Sequence, residues 1–462
     1  MLSKNPPTNQ PNLFYGSLID LLDSNDPLIA LANTINWETF ERAFAVYYSN
    51  EGRPAKPIRL MVGLLLLKQL ENLSDESVVL QWKRNPYYQY FCGSTQYQPA
   101  LPCDATELVK FRQRIGEEGV NKIFAMSVGL FGKVSEEKEV LVDTTVQEKY
   151  ITYPTDGKLA ISIINHLHKI AKEEGISLRR SYIREIKAHR LALRFFRHPK
   201  KVKKARSAMK RLRTIAKILI RDIDRKFENN MTLHQRYAES FYLFMRVLLQ
   251  HKHAKHKIYS LHAPHVYAIT KGKDHKKYEY GVKASVVSCK DSGVIVGVAS
   301  HVTNEHDSKT LEAALSHAHA NRTTPIKEAI CDRGYRGIKE VQGTKICIPS
   351  TPLKRESSYQ KQQKRKKFKR RAAIEPIIGH LKADYRLSRN YLKGFIGDQI
   401  NLLLAACAWN LKKWMTIYFC ALFLHDYVLL QAAHKELKKH MRLFVQLNAL
   451  VYVIVLQEMT NY

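Results

Sequence analysis

Twice along this chain a helical hydrophobic period gives way to a short strand, and twice that strand carries an acid. The first is Glu139-Val140-Leu141-Val142-Asp143-Thr144-Thr145-Val146-Gln147, which is β-branched and short. The second is Glu328-Ala329-Ile330-Cys331-Asp332, which runs into the glycine-containing turn Arg333-Gly334-Tyr335. Aspartate is depleted in strands, so Asp143 and Asp332 each need a reason. A cap or a turn is the plain reason; a polar site is the other. Between them, Tyr278 to Ser288 alternates, Asp291-Ser292-Gly293 marks a turn, and Val294 to Ser300 returns. A helix spans Asp307 to Ala320, with Leu311, Ala314, Leu315 and Ala318 on one side. After Asp332 come a brief strand, Lys345 to Pro349, and a helix start at Ile374-Glu375-Pro376. This order predicts an α/β fold with a mixed sheet and flanking helices.

Glu375 is a lone carboxylate among apolar residues, just after a very basic run. Lys382 follows it by seven residues, about two helical turns, so both would share one helix face. An amphipathic helix with one exposed acid is the bland alternative. Pro376 disfavours helical geometry at the residue before it and fits best as the first helical residue. Glu375 would then be a helix cap, with Arg371 off the helix. Three carboxylates on separate elements suit a pair of divalent cations. Mg²⁺ and Mn²⁺ are hard ions that take oxygen ligands. Two such ions can clamp the attacking and leaving oxygens of an in-line phosphoryl displacement. Without cations, Asp143, Asp332 and Glu375 would repel one another at close range.

A chain of 462 residues can hold two or three domains. Its 75 Lys+Arg against 42 Asp+Glu leave a net charge of +33. That surplus points to a polyanion, and nucleic acid is the commonest one; an anionic membrane surface is the competitor. The seven cysteines form no CxxC pair, which fits a reducing compartment. No apolar signal core opens the chain, and a cytoplasmic, nucleoid-associated protein is expected. Residues 1–133 read as a helical DNA-binding or dimerisation domain. Its Trp37, Phe40, Phe44 and Tyr47 recur at core spacing. Ser74 caps a helix, and Asp104 to Glu107 opens another that ends near Gly116, with Lys110, Arg112 and Arg114 on a basic edge. Residues 134–157 hold the first part of the α/β core. Residues 158–260 form a basic helical insertion, where 16 Lys/Arg against two acids between Lys187 and Lys226 suggest phosphate contact. His251, His253, His256, His262 and His265 lack a zinc-like pattern. Residues 261–414 complete the core, with 354–371 as a hydrophilic loop. The apolar helical tail at 415–462 is too interrupted for a membrane span.

Three blocks carry a family resemblance. They are Val142-Asp143-Thr144-Thr145, Cys331-Asp332-Arg333-Gly334-Tyr335, and Ile374-Glu375-Pro376 through Gly379-His380-Leu381-Lys382. In this order they resemble the acidic motifs of bacterial insertion-sequence DDE transposases, most closely the insertion-sequence-five type. Arg389-Asn390-Tyr391-Leu392-Lys393-Gly394 and Gly397-Asp398-Gln399-Ile400-Asn401 extend the similarity, which covers roughly residues 15–414. The resemblance implies an RNase H-like core, with Asp143, Asp332 and Glu375 as ligands of Mg²⁺ or Mn²⁺. The related signature Tyr-x2-Arg-x3-Glu-x6-Lys is matched by Arg371, Glu375 and Lys382, with Phe368 at the tyrosine position. It implies double-stranded DNA as partner, both terminal inverted repeats and target, and a homodimer on that DNA. Arg371, Lys382, Lys283, Arg333, Arg386 and Arg389 are the expected DNA contacts. A related nuclease or resolvase that does not join strands, and an inactive DNA-binding remnant, are the alternatives.

Overall fold

The computed structural model describes residues 16–424 except 50, 52–53, 229, 252–253, 271–276 and 351–354. The chain divides into two compact units, Met1–Phe111 with Ala408–Tyr462, and Arg112–Cys407. The expectations for residues 425–462, for the first residues of the chain and for His253 lie outside the described residues.

The first unit is helical: α1 (Pro27–Thr34), α2 (Trp37–Ala45), α3 (Ile58–Leu70), α4 (Asp75–Arg84), α5 (Pro86–Phe91) and the start of α6 (Ala105–Gly129). The caps are those the sequence advertises. Ser74 accepts the Ser77 N–H at 3.0 Å. Asp104 accepts the Thr106 N–H at 2.8 Å, while the Glu107 side chain returns to the Asp104 N–H at 3.0 Å. Trp37, Phe40 and Phe44 are buried, and Trp37 meets Phe91 edge-on at 5.3 Å. The helix opened by Asp104 ends at Gly116, as expected, and α6 continues as a second helix beyond it. The chain breaks there at φ 61°, a conformation open to glycine, and resumes its helix to Gly129. Arg112 is buried rather than part of a basic edge.

The second unit holds a seven-stranded sheet: β1 (Glu139–Glu148), β2 (Tyr267–Thr270), β3 (Tyr278–Cys289), β4 (Ile295–His301), β5 (Glu328–Ile330), β6 (Glu340–Val341) and β7 (Thr344–Cys347). β3 runs antiparallel to β1 along one edge, and pairs antiparallel with β4 and then β2 along the other. β1, β5 and β7 are parallel. This is the mixed, RNase H-like sheet expected.

Between β1 and β2 stand α7 (Asp156–Glu173), α8 (Ile183–Ala192), α9 (Val202–Phe227) and α10 (Met231–Leu249). Ile163, Leu167, Leu212, Ile215, Leu219 and Phe244 give this insertion a core of its own. α11 (Asp307–Ala320) packs on β4 and β3.

Residues 358–371 are not a loop: α12 (Ser358–Arg371) is a helix opened by a capping box between Ser357 and Gln360. Consecutive cations did not prevent it, since Lys and Arg are good helix formers. α13 (Ile374–Ala383) follows after two alanines, and α14 covers residues 394–424. Among the described residues no helix is long and apolar enough to cross a membrane.

Candidate active site

Register places the two aspartates. In the parallel pair of β1 and β5, Leu141 lies beside Ile330. Two residues beyond that pair stand Asp143 and Asp332, the first on β1 and the second just past the end of β5. Leu141 and Asp143 share a face of the strand, because side chains alternate. Leu141 and Ile330 bury against Ile374, the first residue of α13, so Glu375 is delivered to the same neighbourhood. Phe368 packs on that apolar cluster, which a phenyl ring does without needing a hydroxyl.

The helix start differs from the expectation. α13 begins at Ile374, not at Pro376, and Glu375 is not its cap. Pro376 sits third in the helix, still in the first turn, where its missing N–H would have had no intrahelical partner. Arg371 is the last residue of α12 and reaches both acids: Nη2 lies 2.9 Å from Glu375 Oε1 and Nη1 lies 3.9 Å from Asp143 Oδ2. Asp143 also accepts the Thr144 N–H at 2.7 Å, and Asp332 accepts the Gly334 N–H at 2.8 Å, which fixes each carboxylate.

The other expected residues are distributed as follows. Lys283 Nζ lies 3.0 Å from Asp307 Oδ1. Lys382 Nζ lies 3.3 Å from Oε2 of the buried Glu279. Arg333 is exposed beside Asp332. Arg386 lies over the Tyr391 ring at 5.2 Å and Arg389 over the Tyr150 ring at 5.9 Å, while the two rings stack at 4.5 Å. Tyr150 and Tyr391 are both half exposed, so this is a surface built of aromatic and guanidinium groups. Beneath it Lys149, Asp398, Asn390 and His265 form a buried polar network. Burial pulls the Lys149 ammonium below the usual lysine range, although Asp398 opposes the shift.

Two groups near the acids carry no signal in the sequence. Asp307 is the first residue of α11, an ordinary place for an acid. Its Oδ1 accepts the Thr144 hydroxyl at 2.9 Å. Tyr335 is fully buried, and its hydroxyl has no hydrogen-bond partner among the described residues. Burial pushes that phenol well above its ordinary range, and Cys331, Asp143, Asp307 and Asp332 push it further. Only the folded turn after β5 brings this hydroxyl to the acids.

The donor chemistry fits a hard divalent ion: several carboxylates and one orphaned phenol oxygen in one neighbourhood. Among the described residues no three His, Cys, Asp or Glu side chains converge tightly enough to hold one ion. Arg371 and Lys283 are the cations that these acids face.

Comparison with known proteins bears on the segments of Asp332 and Glu375 and on the helical first unit, and does not reach Asp143. A model described as Transposase domain (DUF772) matches residues 16–114, and one described as Transposase DDE domain matches residues 250–411. A Rhizobium meliloti protein named "Uncharacterized protein ORF8 in nfe locus" is 39% identical over 204 residues, which is 43% of this chain and 98% of that protein. No solved structure matches.

Proposed function

The chain belongs to the insertion-sequence DDE transposases, a family of DNA-cleaving and joining enzymes, and on that premise we propose that it cuts the ends of its element and joins them to target DNA. The observation that carries this reading is the register of β1 against β5, which sets Asp143, midway along β1, level with Asp332, just past the end of β5. α13 adds Glu375 through the buried Ile374. In this reading Asp143, Asp332 and Glu375 are the ligands of two divalent ions, Mg²⁺ or Mn²⁺. Those ions supply a polarised water and stabilise charge on the scissile phosphate.

Cleavage forms a bond from a water oxygen to phosphorus and breaks the bond to the 3′ oxygen, which leaves as a hydroxyl after taking a proton. Joining repeats the displacement: that hydroxyl, losing its proton, bonds to a target phosphorus, and the target's own 3′ oxygen leaves and takes up a proton. Arg371 stands between Asp143 and Glu375, so a phosphate approaching the acids meets its guanidinium. Lys283, Lys382, Arg333, Arg386 and Arg389 complete the proposed DNA contacts. The helical domain at 1–133 and the basic insertion at 158–260 grip the duplex backbone, and a homodimer holds two ends.

Asp143→Ala should abolish strand cleavage while leaving DNA binding largely intact. Cleavage at the wild-type rate in that variant would remove the assignment. Labelled element ends incubated with a target plasmid should yield joined product; cuts alone would point to a nuclease.

A further inference from the structure

Asp307 approaches the proposed active site from α11, on a side that none of the three acidic motifs supplies. Its Oδ1 faces both the Thr144 hydroxyl, at 2.9 Å, and Lys283 Nζ, at 3.0 Å. Thr144 directly follows Asp143. Asp307 Oδ2 faces the turn after β5. A methyl group placed on Gly334 would lie 3.0 Å from Asp307 Oδ2 and 2.9 Å from Asp332 Oδ1. The two carboxylates therefore share the space over that glycine, and any larger residue would press on both. The buried, unpartnered hydroxyl of Tyr335 comes next in the chain. Asp307 and Asp332 thus converge over Gly334, next in the chain to the residue with the orphaned hydroxyl, with Lys283 as the ammonium that offsets Asp307.

We propose that Asp307 is a fourth carboxylate of the divalent-cation site, acting with Asp143 and Asp332 either directly or through a bound water. Tyr335 Oη is the hydrogen-bond donor that such a water or carboxylate engages. Lys283 then serves to hold Asp307 in place, and contacts DNA only secondarily. This inference rests on the proposed function, since it places Asp307 at the same cation.

The test is Mn²⁺ binding to the full-length protein without DNA, followed by calorimetry and by the electron paramagnetic resonance signal of the unbound ion. Asp307→Asn keeps the shape of the side chain and an acceptor for Thr144. It should weaken Mn²⁺ binding at least about tenfold, the scale on which supporting ligands act, with an unchanged melting temperature. Asp143→Asn should lose the same site. If Asp143→Asn loses Mn²⁺ and Asp307→Asn binds it like wild type, the role of Asp307 is overturned and the proposed function stands. If the wild-type chain binds no Mn²⁺, both fall. If Asp307→Asn does not fold, Asp307→Glu decides: it keeps the charge facing Lys283 but moves the carboxylate, and wild-type Mn²⁺ affinity in that variant overturns the proposal.

Discussion

On and beside the sheet several cations face acids, whereas along α9 several face solvent. Arg371 meets Asp143 and Glu375, Lys283 meets Asp307, Lys382 meets Glu279, and Lys149 meets Asp398. On α9, Arg211 and Arg213 are paired with Glu185 and Asp156. Lys203, Lys204, Arg206 and Lys210 are exposed and have no ion-pair partner among the described residues. The sheet uses positive charge to hold acids in place, and the insertion leaves it available to an outside polyanion. Density of Lys and Arg in a sequence therefore says little about where a phosphate will bind. What matters is whether a carboxylate has already been brought alongside.

The contrast can be broken most strongly in the buried network. Lys149→Met should leave Asp398 buried without its ammonium and destabilise the fold by about 3–5 kcal/mol in denaturant unfolding. Adding Asp398→Leu should recover part of that loss; no recovery would mean that packing, not charge, was removed. Next comes acid. His317 is half-buried, accepts the Val298 N–H at 3.0 Å, and burial pulls its pKa down to about 4. Its folded value lies below the unfolded one near 6.5, so its contribution is full above pH 6.5 and is lost as pH falls towards 4. The expected loss is up to about 3 kcal/mol, and His317→Gln should flatten the melting curve against pH in that window.

The insertion should respond in binding rather than in stability. Replacing Lys203, Lys204, Arg206 and Lys210 together by Gln should weaken duplex binding about a hundredfold at moderate salt and reduce the salt slope by about 3 to 4. The melting temperature should barely move. An unchanged salt slope would show that α9 does not touch DNA. The smallest effect belongs to the surface stack. Tyr150→Ala removes the ring under Arg389 and should cost about 1 kcal/mol or less of DNA affinity, measured as a two- to fivefold rise in Kd.

Much of the fold was legible because local rules set it. The β-branched run at 139–147, the turn at 291–293 and the caps at Ser74 and Asp104 all appear where their residue types put them. The register was not local. Leu141 beside Ile330 joins segments almost two hundred residues apart, and no period within either run states it. The errors have physical causes as well. The run at 354–371 looked like a loop because cations repel, yet a capping box and good helix formers outweighed that repulsion over residues 358–371. Pro376 looked like a helix start, yet the burial of Ile374 against Leu141 pulled the helix back by two residues.

By itself the sequence determined which elements form and which three acids stand out, since hydrophobic period, caps and the scarcity of aspartate in strands are properties of neighbouring residues. Tertiary structure alone decided which cations are already engaged, and it brought Asp307 and the Tyr335 hydroxyl to those acids. An aspartate opening a helix and a tyrosine in a turn look ordinary in a sequence. Their surroundings come from strands and helices that only the folded chain brings together.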